Sequence, residues 1–567
     1  MDCDASTLST QGPGRRERAR AGALEGAADV SEAGLGAGAA GRTRWRRPLW
    51  VWVLPFALMT GVLYARNAPV LATAFYERGD EAANSILIEQ ARRLTLLVGI
   101  YSRTHLNHPG PAFLYPRAWG EQLFWAATRW VPTAVDGQLI AVYALNGVFA
   151  AIAVAIAYGW TRRVRGAVAC LAVVFIFAYL HPPAFSSDWL SYCYVPVYFA
   201  FVIAVASVAA GRLQDVWIMV VTGWFLLEGH VAFLLFVPVL GLIAVAGLAW
   251  PRRRRLGEAL RSLAAGHRRT WVPALAISVI FALPMIINLI ARWPGDWPRY
   301  FALSGDHAGG APPTPGQVAD YALWYWRPLR HTLLPVRWSW LIPLVAYLVA
   351  GLATAKLTRE PLRRFLAALL VVNTVSSVLL LAFADRGIDH VGPGTYYVCY
   401  FYWSAPAIML LVAGLAVAEA LPSAVSVPAA GAVGVAACLA FALAPATSTL
   451  FHSTVSDPAL PRAVRVLAAR SAGKPIVIRI KSGAWGEVAG FLVQAERSNV
   501  RACVADPSWT FMMTRQFICT PRELAQGAAY DVQPAAQAPA GAPAVARLGA
   551  GSAIVTDHAG VVAGPVR

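Results

Sequence analysis

Apolar residues in this chain come in long blocks rather than in alternation. Blocks of about 20 residues lie at 48–66, 138–160, 166–180, 193–210, 271–290, 338–355, 365–384, 398–418 and 427–446, with a longer one at 216–249. A helix rises 1.5 Å per residue, so about 20 residues cross a hydrocarbon core of about 30 Å, and most of these blocks come near that length, with 166–180 the shortest. The block at 216–249 would make a helix of about 51 Å, too long for one crossing. Glu228-Gly229-His230 interrupts it near the middle. We read it as two short crossings with that tripeptide at the apex, which brings the expected number to about eleven.

Composition supports this reading. Hydrophobic residues make up 57% of the 567 and charged residues only 14%, against roughly 25% in a soluble domain. The net charge is +18, carried almost entirely by arginine, with Lys356, Lys474 and Lys481 the only lysines. The basic residues fall in short runs between apolar blocks, which suits topology determinants rather than a nucleic-acid groove. Arg162, Arg163 and Arg165, the run Arg252–Arg255 with Arg268 and Arg269, and Lys356 to Arg364 all lie on the side predicted to be cytoplasmic. An Ala, Gly, Ser and Arg-rich arm, 1–47, precedes the first block and is expected to be disordered and cytoplasmic. An odd number of crossings places the carboxyl-terminal end outside.

The long polar segments are predicted on that outer side: 67–137, 181–192, 292–337, 385–397 and everything after 446. In the last, Pro475–Ile480 reads as a strand, Gly486–Arg497 as a helix and Val500–Ala505 as a second strand. The expected plan is therefore an all-α membrane domain over 48–446 with a first outer loop at 67–137. A small extracytoplasmic α/β domain follows at 447–525, then a loose Ala/Pro/Gly-rich tail at 526–567. Cys503 and Cys519 lie in the outer domain, where a disulfide is permitted, though spacing does not show that they pair. No pair of the seven cysteines forms CxxC, so a structural zinc site is not indicated. No phosphate loop, nucleophile elbow or His-Glu-x-x-His motif occurs.

The outer loops carry the candidate chemistry. Gly79-Asp80-Glu81 opens a predicted amphipathic helix running to about Gly99, with Ile86, Leu87, Ala91, Leu94 and Val98 able to share a face. Asp80 also suits a helix N-cap, and Glu81 the helix dipole. Asn107-His108-Pro-Gly-Pro111 is a Pro/Gly turn containing a histidine. Arg92, Arg93 and Arg103 suit a solvated or headgroup-facing set, with Arg103 also a candidate phosphate contact. Asp188 lies in the next outer loop, where capping of an interfacial helix is the alternative, and Trp189 suits the aromatic belt. Glu228 and His230 are ionisable residues at membrane depth, which by default mark a site. Arg386 and His390, in Asp385–His390, are candidate phosphate contacts or loop-positioning groups. Tyr400, Tyr402, Trp403 and Trp324 suit core or belt packing more than sugar stacking.

These residues resemble a family. One apolar helix leads into a long outer loop opening on Gly-Asp-Glu and a helix; some ten crossings and an outer carboxyl-terminal domain follow. This looks like the GT-C superfamily of membrane glycosyltransferases, which includes protein O-mannosyltransferases, aminoarabinose transferases and mycobacterial arabinosyltransferases. The likeness spans about 48–446 in architecture. It implies a polyprenyl-phosphate sugar donor, an acceptor that is a glycan, lipid or protein, and inverting transfer on the outer face of a bacterial cytoplasmic membrane. It further implies that Asp80 matches the first-loop acid, a general base or metal ligand, with Glu81 and Asp188 as looser matches. His108, Glu228 and His230 are then candidates for the donor or acceptor pocket. A divalent metal is the one cofactor this leaves room for, with no ligand set identified. The chemistry is consistent: a carboxylate accepts the acceptor hydroxyl's proton, and the leaving phosphate needs cationic or N–H partners. The reading expects Asp80 to border a hydrophobic slot wide enough for an isoprenoid, and the outer domain to bind or position acceptor.

Two other classes fit the same crossings. A transporter or flippase for a polyprenyl-linked or hydrophobic substrate would show internal repeats, and only one broken segment is evident. A non-catalytic envelope scaffold would tolerate loss of every outer acid. Membrane lipids are partners under all three readings, and nucleic acid under none.

Overall fold

The computed structural model describes residues 47–102, 106–250, 268–302, 312–327, 338–388, 391–446, 458–481, 483–537, 544–548 and 553–557. The amino-terminal arm up to 46 lies outside the described residues.

Every apolar block is a helix. They are α1 (Trp50–Arg66), then, after the first outer loop with its own α2 (Gly79–Arg92) and α3 (Leu114–Gly120), α4 (Ala134–Thr161), α5 (Val164–Leu180) and α6 (Leu190–Ala209). The long block breaks into α7 (Val216–Gly229) and α8 (Phe233–Ala249), with His230 extended at φ −152°, ψ 139° between them. There follow α9 (Arg268–Ala291), the short α10 (Pro315–Trp324), α11 (Leu341–Ala355), α12 (Glu360–Arg386), a 3₁₀ stretch Tyr396–Trp403 running into α13 (Ser404–Ala420), and α14 (Ser423–Leu443). Six of these spans, among the described residues, are long and apolar enough to cross a membrane. The apolar windows of α4 and α6 are 83% and 89% buried, whereas those of α9 and α14 are 6% and 11% buried. Apolar helices left so bare belong against lipid, so α4 and α6 form the centre of the bundle and α9 and α14 its rim.

Contacts sort the connections into two ends. At one, Glu419 meets Arg165 at 2.7 Å, Arg359 at 3.6 Å and Arg163 at 3.9 Å, while Arg359 donates to the Thr161 carbonyl and Arg165 to that of Leu421. At the other, Arg66 donates to Ser186 Oγ and the Pro445 carbonyl, each at 2.7 Å, and Tyr321 to the Thr395 carbonyl. The connections carrying Arg163, Arg165 and Arg359 thus meet at one end, and the described ends of the long polar segments near Arg66, Ser186, Tyr321, Thr395 and Pro445 make their own contacts away from it.

Two expectations need correction. The helix from Gly79 stops at Arg92, not near Gly99, because Leu94 takes a left-handed φ of 56° and turns the chain; Leu94 is exposed, and Leu96 rather than Leu94 joins Leu87, Ile88 and Ala91 in the local core. The boundary at 525 also falls inside a sheet. After α15 (Ala459–Ser471) come β3 (Ile476–Ile480), α16 (Trp485–Arg497) and β4 (Ala502–Val504), then β5 (Ala528–Pro534), β6 (Ala546–Leu548) and β7 (Ala553–Asp557); the hairpin Tyr101–Ser102 with Leu106–Asn107 supplies β1 and β2. The sheet order is β4-β3-β5-β7-β6, with β3 parallel to both β4 and β5. Tyr530 and Val532 of β5 are buried in its core, so the segment expected to be loose supplies the central strand. Cys503 and Cys519 form a disulfide; the other described cysteines, Cys170, Cys193, Cys399 and Cys438, are free and lie in the membrane helices or the 3₁₀ stretch that leads into α13.

Candidate functional site

Asp80 sits in the first turn of α2, with Arg78 extended at the N-cap position. Its carboxylate is half-buried and accepts a hydrogen bond from the Tyr101 hydroxyl of β1. The Tyr101 ring meets Trp485 of α16 edge-on, 6.4 Å between centroids. The two residues before Asp80 line a cleft of about 280 Å³ together with Gly483, Trp485, Gly486 and Glu487. That cleft mixes an indole with a cation, an anion and glycines, and so is not the hydrophobic slot expected beside Asp80. Its walls approach closely, since a methyl group on Gly486 would stand 3.0 Å from the Gly79 Cα.

Glu81 points the other way, into the membrane domain. It is 2% exposed and hydrogen-bonded to Asp188, which is 1% exposed. Burial first, and the Asp188 charge second, push the Glu81 carboxyl well above the usual carboxylate range. Glu81 therefore holds the proton and donates it to Asp188, whose Oδ2 takes the Arg117 guanidinium at 2.7 Å. Because its folded pKa is raised, Glu81 favours the fold fully below its ordinary value of 4.5 and loses that contribution as pH rises through the folded value. Glu81→Gln stays neutral at every pH. We expect it to melt near the wild type at pH 5 and above it at pH 8 in detergent; parallel melting curves across that range would remove the shared proton.

A polar chain continues from this pair. Arg117 also donates to Gln138 Oε1 at 3.0 Å, and Gln138 Nε2 donates to Glu121 at 2.8 Å. Glu121 takes Arg92 at 3.0 Å and Arg497 at 3.4 Å, and Arg497 reaches Glu77 at 2.6 Å and Glu89 at 3.5 Å. Burial works against the Arg497 charge, but Glu77, Glu121 and Glu89 outweigh it and raise its pKa. Burial, then Glu121, raises Glu89. Arg92 is thus part of an ion-pair network rather than a solvated set. This donor set does not suit a divalent cation, since a guanidinium and a shared proton already occupy Asp188. Among the described residues no group of three His, Cys, Asp or Glu is placed to hold a metal ion.

The histidine turn meets the membrane hairpin. The His108 and His230 rings lie 4.4 Å apart, both within hydrogen-bond reach of backbone amides. Val231 N–H donates to His108 Nδ1 at 3.3 Å and Ala232 N–H to His230 Nδ1 at 3.1 Å. An imidazole that accepts at Nδ1 carries its proton on Nε2, so the cluster offers two Nε2–H donors. Burial first, then His230, lowers the His108 pKa well below its usual value and keeps that ring neutral. Gly110 donates its amide to the Glu228 carbonyl at 3.0 Å, and a methyl group on it would come within 2.5 Å of the Glu228 side chain. The turn is held from the far side by Asp296, which accepts the Asn107 amide at 3.1 Å, and by the Tyr300 hydroxyl on the Asn107 carbonyl at 2.5 Å.

The remaining candidates stand apart. Arg386 ends α12, 83% exposed in its side chain, and pairs with the adjacent Asp385 at 3.8 Å; among the described residues it meets none of the acids above. Arg103 and His390 lie outside the described residues. The outer aromatic residues stack on one another: Trp324 on Tyr396 at 4.1 Å, Tyr400 on Trp403 at 4.3 Å and Tyr192 on Tyr400 at 5.0 Å. Arg117, Gln138, Glu121, Glu77 and Arg497 were not picked out by sequence.

Fold and site together define a helical, multi-pass membrane protein in which the loop between α1 and α4 and the carboxyl-terminal helix α16 enclose a buried acid network. No protein-family model and no curated protein matches the chain. Similar solved structures include ArnT from Cupriavidus metallidurans in the apo state, at 16% identity and a TM-score of 0.46, covering 89% of this chain and 97% of that one. The same protein bound to undecaprenyl phosphate is matched at 17% identity and a TM-score of 0.47, covering 92% and 100%. At these values the likeness gives no individual residue a role.

Proposed function

We propose that this chain is a GT-C-type glycosyltransferase that moves a sugar, with inversion, from a polyprenyl-phosphate donor to a glycan, lipid or protein acceptor. The observation that carries the reading is the division of labour between neighbouring acids. Glu81 and Asp188 are sealed with Arg117, whereas Asp80, one residue away, remains half-exposed beside a cleft.

Asp80 accepts the proton of an acceptor hydroxyl as that oxygen attacks the anomeric carbon. The bond from that carbon to the donor phosphate oxygen breaks, and its electron pair leaves with the polyprenyl phosphate. A single displacement inverts the anomeric configuration. The two imidazole Nε2–H groups of His108 and His230 suit the departing phosphate as neutral donors in a site where charge is costly. Glu81 and Asp188 act through structure, fixing the turn that aims Asp80. No metal step is needed by these residues.

The reaction would take place at the outer face of a bacterial cytoplasmic membrane, with eleven crossings, the amino terminus inside and the sheet domain outside. The Arg-rich end with Glu419 supports a cytoplasmic assignment, and the Cys503–Cys519 disulfide supports an oxidising compartment for the sheet. The test is reconstitution of the full chain in vesicles with a labelled polyprenyl-phosphate sugar panel and bacterial membrane acceptors. Free polyprenyl phosphate should appear together with labelled product. Movement of intact donor across the bilayer, with no product, would overturn the reading.

A further inference from the structure

The sheet domain has a crevice of the kind α/β sheets use for ligands. From β3 the chain passes through α16 to β4 on one side, while β5, on the other side of β3, leads away to β6 and β7. The outgoing connections of the parallel neighbours β3 and β5 therefore diverge. Open α/β sheets bind ligands outside the carboxyl ends of their strands at such a switch point. The loop after β3 runs across it: Lys481 N–H donates to the Val532 carbonyl at 2.8 Å, and a methyl group on Gly483 would meet the Pro534 ring at 3.1 Å.

The cleft described above lies at this place. Gly483, Trp485, Gly486 and Glu487 all follow β3, and Arg78 and Gly79 of the first outer loop close it. Its lining combines one half-buried indole, one cation, one anion and three glycines that leave backbone groups uncovered. An aromatic face with a few polar groups around it matches a ring with apolar C–H edges and hydroxyls on its rim. A volume of about 280 Å³ suits one such ring rather than an extended chain. Tyr101 joins this wall to Asp80, since its hydroxyl donates to that carboxylate and its ring meets Trp485.

We propose that this cleft binds a saccharide ring of the acceptor, lying on Trp485 with its hydroxyls toward Arg78 and Glu487. The assignment to the acceptor rests on the transfer reading above; the saccharide site itself does not. It makes the carboxyl-terminal sheet one wall of the acceptor site and places the acceptor on the Asp80 side of α2.

The test is saturation-transfer NMR on the full chain in lipid nanodiscs, with no donor present. The probes are methyl α-D-mannopyranoside, methyl α-D-glucopyranoside and methyl α-D-arabinofuranoside. Saturation should reach at least one glycoside. Trp485→Ala should weaken its apparent Kd by about fivefold or more, and Trp485→Phe should largely restore it. Arg78→Ala, an exposed change that leaves the fold alone, should weaken it as well. Binding to none of the three, or equal binding in wild type and both Ala variants, would overturn the proposal. Because donor is absent, that outcome is separate from any failure of transfer in vesicles.

Discussion

Asp80→Asn is expected to lower sugar transfer by about 10²- to 10⁴-fold with the chain still folded. The amide keeps the size of the carboxyl group, and its oxygen still accepts the Tyr101 hydroxyl. It cannot accept a proton from the acceptor. The residue is half-exposed, so the substitution strands no buried charge, and stability should change little. Donor binding should also hold, because no phosphate contact is assigned to Asp80. Loss should therefore fall on kcat with labelled donor in reconstituted vesicles. Glu81→Gln is the internal comparison. One residue away, it alters an acid that already holds its proton, and most activity should survive. Undiminished transfer by Asp80→Asn, with normal folding, would remove Asp80 from the mechanism.

Arg497→Met is expected to cost stability rather than chemistry, by about 3–5 kcal/mol. Its guanidinium meets Glu77, Glu89 and Glu121, and Glu77 and Glu121 are fully buried. Removing the cation leaves Arg92 to face both Glu89 and Glu121, and leaves Glu77 with the Gln494 amide in place of a charge. The cost should shrink as pH falls toward 5, because Glu89, whose carboxyl is already raised by burial and by Glu121, takes up a proton and needs the cation less. Arg497→Lys should recover part of it, since an ammonium supplies the charge without the fork that reaches several acids. Hydrogen exchange should locate the damage: α2 and the Glu121 turn should exchange faster, while β3 and β5 keep their protection. Unchanged melting at pH 8 would mean that the three carboxylates find another partner.

Much of the fold was legible because lipid imposes its own grammar on a chain. The crossings show as unbroken apolar blocks, and the α7–α8 break shows because Glu228-Gly-His230 interrupts one. The network behind Asp80 was not legible. Arg117, in Tyr-Pro-Arg-Ala-Trp, carries no local mark of its role until Asp188, 71 residues on, is folded against it. Arg497 reads as an ordinary last-turn helix cation, and nothing local marks its remote partners. β5 was missed for a different reason. Its buried Tyr530 and Val532 sit among Ala, Pro and Gln, and the biased composition drowned a short alternation. Asp80 itself was visible from position, but not its separation from Glu81: neighbouring acids on a helix point about 100° apart, and only the packed structure shows which one is sealed.

The distance along the chain between Glu77 and Arg497 is 420 residues. A ribosome makes Glu77, Glu89 and Glu121 long before Arg497 exists, and the sheet beside α16 cannot close until β5 and β7 have been made as well. Throughout that interval Arg92 faces Glu89 and Glu121, and Glu77 waits for Arg497. The network behind Asp80 is therefore closed late in synthesis, when α16 packs against α2.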